Sequence, residues 1–415
     1  MSTAAPAVLA LLVHELGDGV VREGTAGDAV GGIVPAAVVR PDDEDAVAAV
    51  CALAHRERLA LVVRGAGTKE RWGRPPRRCD AVLETARLHG VVEHAPGDLV
   101  CTVRAGTTLD ELRGALDAAP GHRQWLPLDP PQGGAQTLGG AVATGASGSL
   151  RARYGTPRDL VIGARYVLGD GTVGHSGGKV VKNVAGYDVT RLLVGSLGTL
   201  AVITEITVRL HPRPAATRSL LVERASPSRL AALSDALRTA PVVLSAADVC
   251  WPDATARLRV EGTGEGVVEQ AAALSEIAGA RVLDAAEAEA VDSALAARPW
   301  GGDGAVAGLS FPRTRLAEVL EVASAYANEM VVRATLGVAE ARVPESPEVV
   351  AQLRTAVARL GGHVTLHRGG AALGGAAWPA ETGPEVALMR AVKRSLDPAG
   401  VLAPGRALGD GEDGG

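Results

Sequence analysis

The stretch Val63-Arg64-Gly65-Ala66-Gly67-Thr68-Lys69 decides how the rest of this chain is read. It closes an apolar run, Leu59 to Val63, of the length and composition of a buried strand. Upstream, Val34 to Val39 is another short apolar run. Between the two, Pro41-Asp42-Asp43-Glu44 supplies a helix start with Asp caps and acidic first-turn residues, which suit the helix dipole. Ala46, Val47, Val50, Leu53 and Ala54 then recur at helical spacing, so residues 33 to 63 read as strand, helix, strand. A glycine loop at the end of such a strand lets successive backbone N–H groups converge on one point, and this nest suits an anionic diphosphate. The loop is not Gly-x-x-x-x-Gly-Lys-Ser/Thr, nor a Gly-x-Gly-x-x-Gly that opens a helix, so it is neither a P-loop nor a Rossmann fingerprint.

Working outward, Leu99 to Val103 reads as a strand leading to Ala105-Gly106-Thr107-Thr108, with a helix over Asp110 to Leu116 capped by Thr107 or Thr108. Residues 127 to 150 are rich in Pro and Gly and carry a second glycine cluster: Thr137-Leu138-Gly139-Gly140 and Thr144-Gly145-Ala146-Ser147-Gly148. Two separate glycine-rich loops with hydroxyl donors fit a long ligand with a diphosphate centre. Leu160 to Leu168 and Leu200 to Leu210 read as strands, the first ending at the turn Gly169-Asp170-Gly171, and Pro212 and Pro214 mark a boundary. From about 218 to 375 the chain becomes strands and Ala-rich helices without glycine-loop motifs, the clearest helices being Arg229 to Leu237 and Val349 to Leu360. A last helix is expected over residues 383 to 395, before a Gly- and acid-rich tail.

At 415 residues two domains are expected, and 47% hydrophobic residues exclude wholesale disorder. Aromatics are only 2%, so aliphatic side chains must fill the core. A net charge of -5 and the lack of a long basic run argue against nucleic acid as a partner. Cys51, Cys79, Cys101 and Cys250 are scattered, which supports no iron–sulfur cluster, structural zinc or disulfide framework and fits a reducing cytoplasm. The apolar run Ala4 to Val13 has no preceding positive charge and is expected to be a surface helix with Leu9, Leu12 and Val13 inward. No stretch reaches the roughly 20 apolar residues that span a bilayer.

These motifs, together with Ala105-Gly106-Thr107-Thr108-Leu109-Asp110-Glu111-Leu112, Tyr154-Gly155, Arg158-Asp159, Gly195-Ser196-Leu197-Gly198-Thr199-Leu200 and Val202-Ile203-Thr204-Glu205, resemble the FAD-binding domain of the vanillyl-alcohol oxidase and p-cresol methylhydroxylase superfamily. The likeness runs in unbroken order over about residues 30 to 212. Gly177-Gly178-Lys179-Val180-Val181-Lys182-Asn183-Val184-Ala185-Gly186-Tyr187-Asp188-Val189, and the ending Lys393 to Val401 with Pro404-Gly405-Arg406, are similar to the E-type FAD-binding subunits of bacterial glycolate oxidases. The resemblance implies an α+β chain: an N-terminal helix (1–29), a two-subdomain FAD-binding domain (30–213), a smaller cap-like α+β domain (214–378), a C-terminal segment returning to the flavin site (379–408) and a disordered tail (409–415).

It further implies FAD as cofactor, held without a covalent link, because Thr68 stands where tethering relatives carry His. The implied cofactor residues are Arg64, Gly65, Ala66, Gly67, Thr68 and Lys69 around the diphosphate. Thr137, Leu138, Gly139, Gly140, Thr144, Gly145, Ser147 and Gly148 follow from the other side, and Ile203 through its backbone. Arg158 and Asp159 are expected to be structural. Two departures stand out: Ala201 replaces a usual Gly, and Ala403 a usual Asn before Pro-Gly.

The His-rich motif of the larger glycolate oxidase subunit and of the D-lactate dehydrogenases is not found. The nearest feature, His363 and His367 on an expected strand, sets two imidazoles roughly 13 Å apart, too far for one metal. No metal site is expected. Lys182, Asn183 and Tyr187 are the candidates to face the flavin and bind a carboxylate, with Tyr187 and Asp188 as helix caps the competing reading. The implied function is oxidation of a small 2-hydroxy acid, glycolate or D-lactate, within a cytoplasmic complex. A second flavin subunit and an iron–sulfur subunit are the expected partners, and any membrane association would be peripheral and through them. A self-sufficient oxidase of a hydroxy acid, polyol or sugar lactone is the alternative. A subunit contact is expected on the 218–375 region.

Overall fold

The computed structural model describes residues 5–121, 123–178, 187–369, 373 and 383–408. Three larger sheets organise them, beside a two-stranded one of Gln124–Trp125 with His211–Pro212. The first has four strands in the order Val21–Glu23, Ala37–Val39, Ala81–Glu84, Leu61–Arg64. Its first pair is antiparallel, and the other two are parallel because the helix Glu44–Glu57 crosses from Ala37–Val39 to Leu61–Arg64. That helix starts where the acidic triplet placed it: Asp43 accepts from the Ala46 N–H at 2.8 Å. Val47, Val50, Cys51, Leu53 and Ala54 are buried on it, beside Leu12 of the N-terminal helix.

The second sheet is antiparallel throughout, in the order Val91–Ala95, Val100–Arg104, Val202–Arg209, Val161–Val167, Val173–Gly177. Its two edge strands, Val91–Ala95 and Val173–Gly177, were not expected. Val173–Gly177 holds two glycines and an exposed Val, so only its ladder with Val161–Val167 marks it as a strand. The helix Leu109–Ala118 packs Leu109, Leu112 and Leu116 on this half. Of the two candidate caps Thr108 holds the position, in a capping box with Glu111.

The third sheet has eight strands, in the order Arg281–Val282, Ala216–Val222, Thr255–Gly262, Leu244–Trp251, Glu329–Arg333, Val338–Val343, Ala305–Ser310, His363–Arg368. Side chains alternate between its faces. One face, with Leu220, Val249, Leu258, Val332, Ala341, Leu309 and Leu366, is covered by the helices Pro227–Thr239, Gly264–Ala278, Leu316–Ser324 and Pro347–Ala358. The other carries Asp248, Arg257, Glu261, Arg333 and Glu340, all buried although charged. It is buried because the first half of the chain docks there. Arg153 donates to the Glu261 carbonyl at 2.8 Å, and the Tyr154 hydroxyl to the Glu261 carboxylate at 2.8 Å. The charges pair across the sheet, Asp248 with Arg257 at 3.1 Å and with Arg333 at 3.3 Å, and Arg333 with Glu340 at 3.2 Å. Unpaired, each such charge would cost several kcal/mol to bury.

The C-terminal helix Pro384–Leu396 leads the chain back to the first sheet. Leu61 donates to the Val401 carbonyl at 2.8 Å and Ala403 to that of Leu61 at 2.7 Å. Asp397 fixes this return by accepting from Val401 N–H at 3.0 Å, Leu402 N–H at 2.8 Å and the Lys393 ammonium.

Candidate cofactor site

A cleft opens where the strand Leu61–Arg64 ends. Its floor is the loop Gly65 to Glu70; one wall is Thr137, Gly139, Gly140, Ala143 and Thr144, the other Leu197, Gly198, Ala201 and Ile203, with Arg406 at the end. Gly65, Ala66, Gly67, Thr68, Lys69 and Ile203, distant in sequence from Thr137, Gly139, Gly140 and Thr144, therefore meet around one space.

The loop is held open by its own ends. Arg64 reaches across it to Glu70, and also donates to the Asp28 carbonyl at 2.8 Å and carboxylate at 3.3 Å. Gly67 takes φ +74, a backbone that a Cβ would strain. A Cβ on Gly65 would lie 2.1 Å from the Thr137 hydroxyl, so this glycine lets the loop approach the opposite wall. From behind, the Arg406 guanidinium donates to the Glu70 carbonyl at 2.7 Å and the Trp72 carbonyl at 3.1 Å. The backbone N–H groups of Ala66, Gly67, Thr68 and Lys69 donate no hydrogen bond among the described residues. Four adjacent donors without a protein acceptor are the donor set that an anion satisfies.

The second glycine cluster behaves differently from a loop. Thr137 caps a short helix, Leu138–Thr144, through the Gly140 N–H at 3.1 Å. The Leu138 N–H goes to the Thr107 carbonyl and the Gly139 N–H to that of Ala105, each at 2.8 Å. These donors are already spent. Gly139 serves packing, since a Cβ there would sit 2.7 Å from the Ala105 carbonyl oxygen. Leu138 is a core residue, Gly145 ends the helix in a left-handed turn, and Gly148 packs on the Asp129 carbonyl, where a Cβ would come within 2.0 Å. Those three and the buried Ser147 stand behind the wall rather than on the cleft.

Tyr187 is 95% exposed, while Asp188 caps the helix Val189–Leu193 by accepting from Arg191 N–H at 3.0 Å. Lys182 and Asn183 lie outside the described residues. Arg158 is exposed, and Asp159 caps its own turn through Thr156. Ala201 is buried in the cleft wall, and Ala403 adopts φ 42, a left-handed backbone that Asn tolerates better than Ala.

Charge sorts into two groups here. Arg22, Arg40 and Arg64 are matched by Asp28, Glu70 and Glu84, so that network is neutral, and Arg22 with Thr25 holds the Asp28 carboxyl far below the usual range. Lys69 and Arg406, 7% and 5% exposed, have no carboxylate partner among the described residues. The Lys69 ammonium donates to the Gln136 side-chain carbonyl and lies 5.7 Å from the Trp72 ring, and burial lowers its pKa to about 7. Trp72 stacks on Trp300 at 4.5 Å, with His367 5.2 Å from it. His363 and His367 sit at opposite ends of one strand, and only His367 joins this cluster.

A glycine-bounded cleft, four unused N–H donors and two basic side chains without a carboxylate partner fit a dinucleotide with an anionic diphosphate. Comparison with known proteins agrees. The family model described as FAD binding domain matches residues 35–177, and that of the C-terminal domain of FAD linked oxidases matches residues 317–407. The chain is 39% identical over 227 residues to glycolate oxidase subunit GlcE of Escherichia coli (strain K12), which covers 54% of this chain and 62% of that subunit. It is also 39% identical over 178 residues to a D-lactate dehydrogenase of Archaeoglobus fulgidus, covering 42% of this chain and 39% of that enzyme. The match thus spans less than two thirds of either relative. The solved structure of p-cresol methylhydroxylase with substrate bound superposes with a TM-score of 0.72 at 16% identity, over 98% of this chain and 97% of that one. The fold is therefore of the p-cresol methylhydroxylase type, and the chain joins an FAD binding domain, with FAD as its cofactor, to the C-terminal domain of FAD linked oxidases.

Proposed function

We propose that this chain is an FAD-bearing subunit of a complex that oxidises a small 2-hydroxy acid, glycolate or D-lactate. The observation that carries the reading is the set of unused N–H donors from Ala66 to Lys69, in the part of the chain similar to a glycolate oxidase subunit. Bound FAD supplies the acceptor for the hydride equivalent that leaves the alcohol carbon. The chain's residues hold and shape: Ala66 to Lys69 donate to the diphosphate, Gly65 lets their loop approach the Thr137 wall, and Gly139 lets that wall pack on Ala105. Arg64 and Arg406 fix the loop's curvature, Thr144 and Ile203 line the remaining walls, and Leu138, Gly145, Ser147 and Gly148 support the wall from behind. Lys182 and Asn183 are the candidates for the substrate carboxylate. Thr68 in place of a tethering His makes the attachment non-covalent. A second flavin subunit and an iron–sulfur subunit would complete the complex in the cytoplasm. No helix among the described residues is long and apolar enough to cross a membrane.

The test is anaerobic addition of glycolate, then D-lactate, to the purified FAD-loaded chain and to the same chain isolated with its partners. The flavin band of the lone chain should stay unbleached and that of the complex should bleach. Full bleaching of the lone chain by either acid would replace this reading with that of a self-sufficient dehydrogenase.

A further inference from the structure

We propose that Lys69 is a proton-linked counter-ion of the cofactor: its side chain is a neutral amine in the empty protein above neutral pH and takes a proton from solvent when the anionic diphosphate of FAD enters the cleft. The inference rests on the cofactor assignment and not on the choice of substrate.

Three observations carry it. The first is burial without compensation. Lys69 has lost almost all its water, and its only partners among the described residues are the Gln136 carbonyl oxygen and the face of Trp72. A buried ammonium with no counter-charge is costly, and the amine releases its proton instead. The second is that the environment will not supply the missing charge. On its own loop Glu70 is engaged by Arg64, and Arg71 is exposed and lies 3.4 Å from Glu345. From the C-terminal return, Arg406 adds a further positive charge; from the eight-stranded sheet, His367 stands beyond Trp72 and is held neutral by burial. Opposite, Gln136 is fixed as an acceptor, because its amide N–H₂ donates to the Pro131 carbonyl at 3.1 Å and to that of Gly133. The third is complementarity. Lys69 and Arg406 both border the cleft, and with the Arg22, Arg40 and Arg64 network neutral they add two positive charges beside it when both are protonated, equal in number to the ionised phosphates of the cofactor.

When the diphosphate enters, the Lys69 nitrogen lone pair takes one proton from buffer, and no other bond changes. FAD binding then has a pH dependence that a cradle of backbone N–H groups alone would not have.

Calorimetric titration of the FAD-stripped full chain with FAD, in two buffers of different ionisation enthalpy, counts the protons. Uptake should be about 0.9 proton at pH 8 and about 0.1 at pH 6, and the dissociation constant should rise about tenfold per pH unit above neutrality. Lys69→Met should abolish both effects. Lys69→Arg, whose guanidinium stays protonated, should bind FAD without uptake, so the proposal stays testable if the Met variant folds poorly. His367→Asn should leave the uptake unchanged. No uptake by the wild-type chain at pH 8, or undiminished uptake by Lys69→Met or Lys69→Arg, would overturn the proposal; so would loss of uptake in His367→Asn.

Discussion

Gly65→Ala is the sharpest perturbation of the cleft that a single methyl group can deliver. The added Cβ would lie 2.1 Å from the Thr137 hydroxyl oxygen and 3.2 Å from the Thr137 Cβ and Cγ2. Thr137 cannot turn away at no cost, because that oxygen accepts from the Gly140 N–H and caps the helix Leu138–Thr144. Losing such a cap costs about 1 kcal/mol, and relieving an overlap between two packed segments about 1–3 kcal/mol more. Gly65→Ala should therefore cost about 2–4 kcal/mol, and Thr137→Ala alone about 1 kcal/mol, from the cap. The double variant loses the cap but no longer meets the closest overlap. It should cost about 2 kcal/mol less than the two single changes added together. Urea unfolding of the FAD-stripped chain gives the stability side of this cycle, and flavin fluorescence quenching gives the affinity side. Gly65→Ala should weaken FAD binding at least tenfold, with partial recovery in the double variant. Additive effects, within about 0.5 kcal/mol, would show that the loop and the wall do not approach each other as described.

Removing the acceptor at the C-terminal return, with Asp397→Ala, leaves the Val401 and Leu402 N–H groups unpaired and should destabilise the chain by about 3 kcal/mol, read as a lowered melting temperature. Burial raises the Asp129 carboxyl to about 6 in the folded chain, so between about pH 4 and pH 6 the unfolded chain binds fewer protons than the folded one. Stability should accordingly fall by about 3 kcal/mol as pH rises through that window. Asp129→Asn should flatten this slope in urea midpoints measured from pH 4 to 8, and an unchanged slope would assign it to other groups. Acid precipitation should release all the flavin into the supernatant; colour retained in the pellet would reveal a covalent link that Thr68 cannot make.

Much of the first half was legible because local rules and the fold agree there. Asp43 and Thr108 cap the helices that their sequences announce, and the run ending at Val63 is a strand that delivers the glycine loop. Where a glycine cluster carried two meanings, local rules could not separate them. Thr137-Leu138-Gly139-Gly140 reads as a loop by propensity, yet it starts a helix because Leu138, Ala141 and Val142 bury in the core and Thr137 caps them. The charged face of the eight-stranded sheet shows the limit of periodicity. Alternation places Asp248, Arg257, Arg333 and Glu340 on one side, but it cannot say that another part of the chain will cover them. Lys69 is the same case at one residue. Its backbone belongs to the loop by sequence, whereas its amine is buried against Gln136, 67 residues away, which only the fold brings near. The left-handed backbone at Ala403 likewise supplies a reason for Asn at that position that the motif alone does not contain.

If FAD sits on the loop following the strand Leu61–Arg64, as proposed, the amides of that loop must gain an acceptor when it binds. Hydrogen exchange of the FAD-stripped chain, with and without one equivalent of FAD, tests it most directly, because Ala66 to Lys69 have amide protons with no protein acceptor. Peptides covering residues 64–70 should gain strong new protection, with weaker protection across 139–144. Protection confined to the wider opening beneath the helix Pro384–Leu396, with residues 64–70 still exchanging freely, would contradict it.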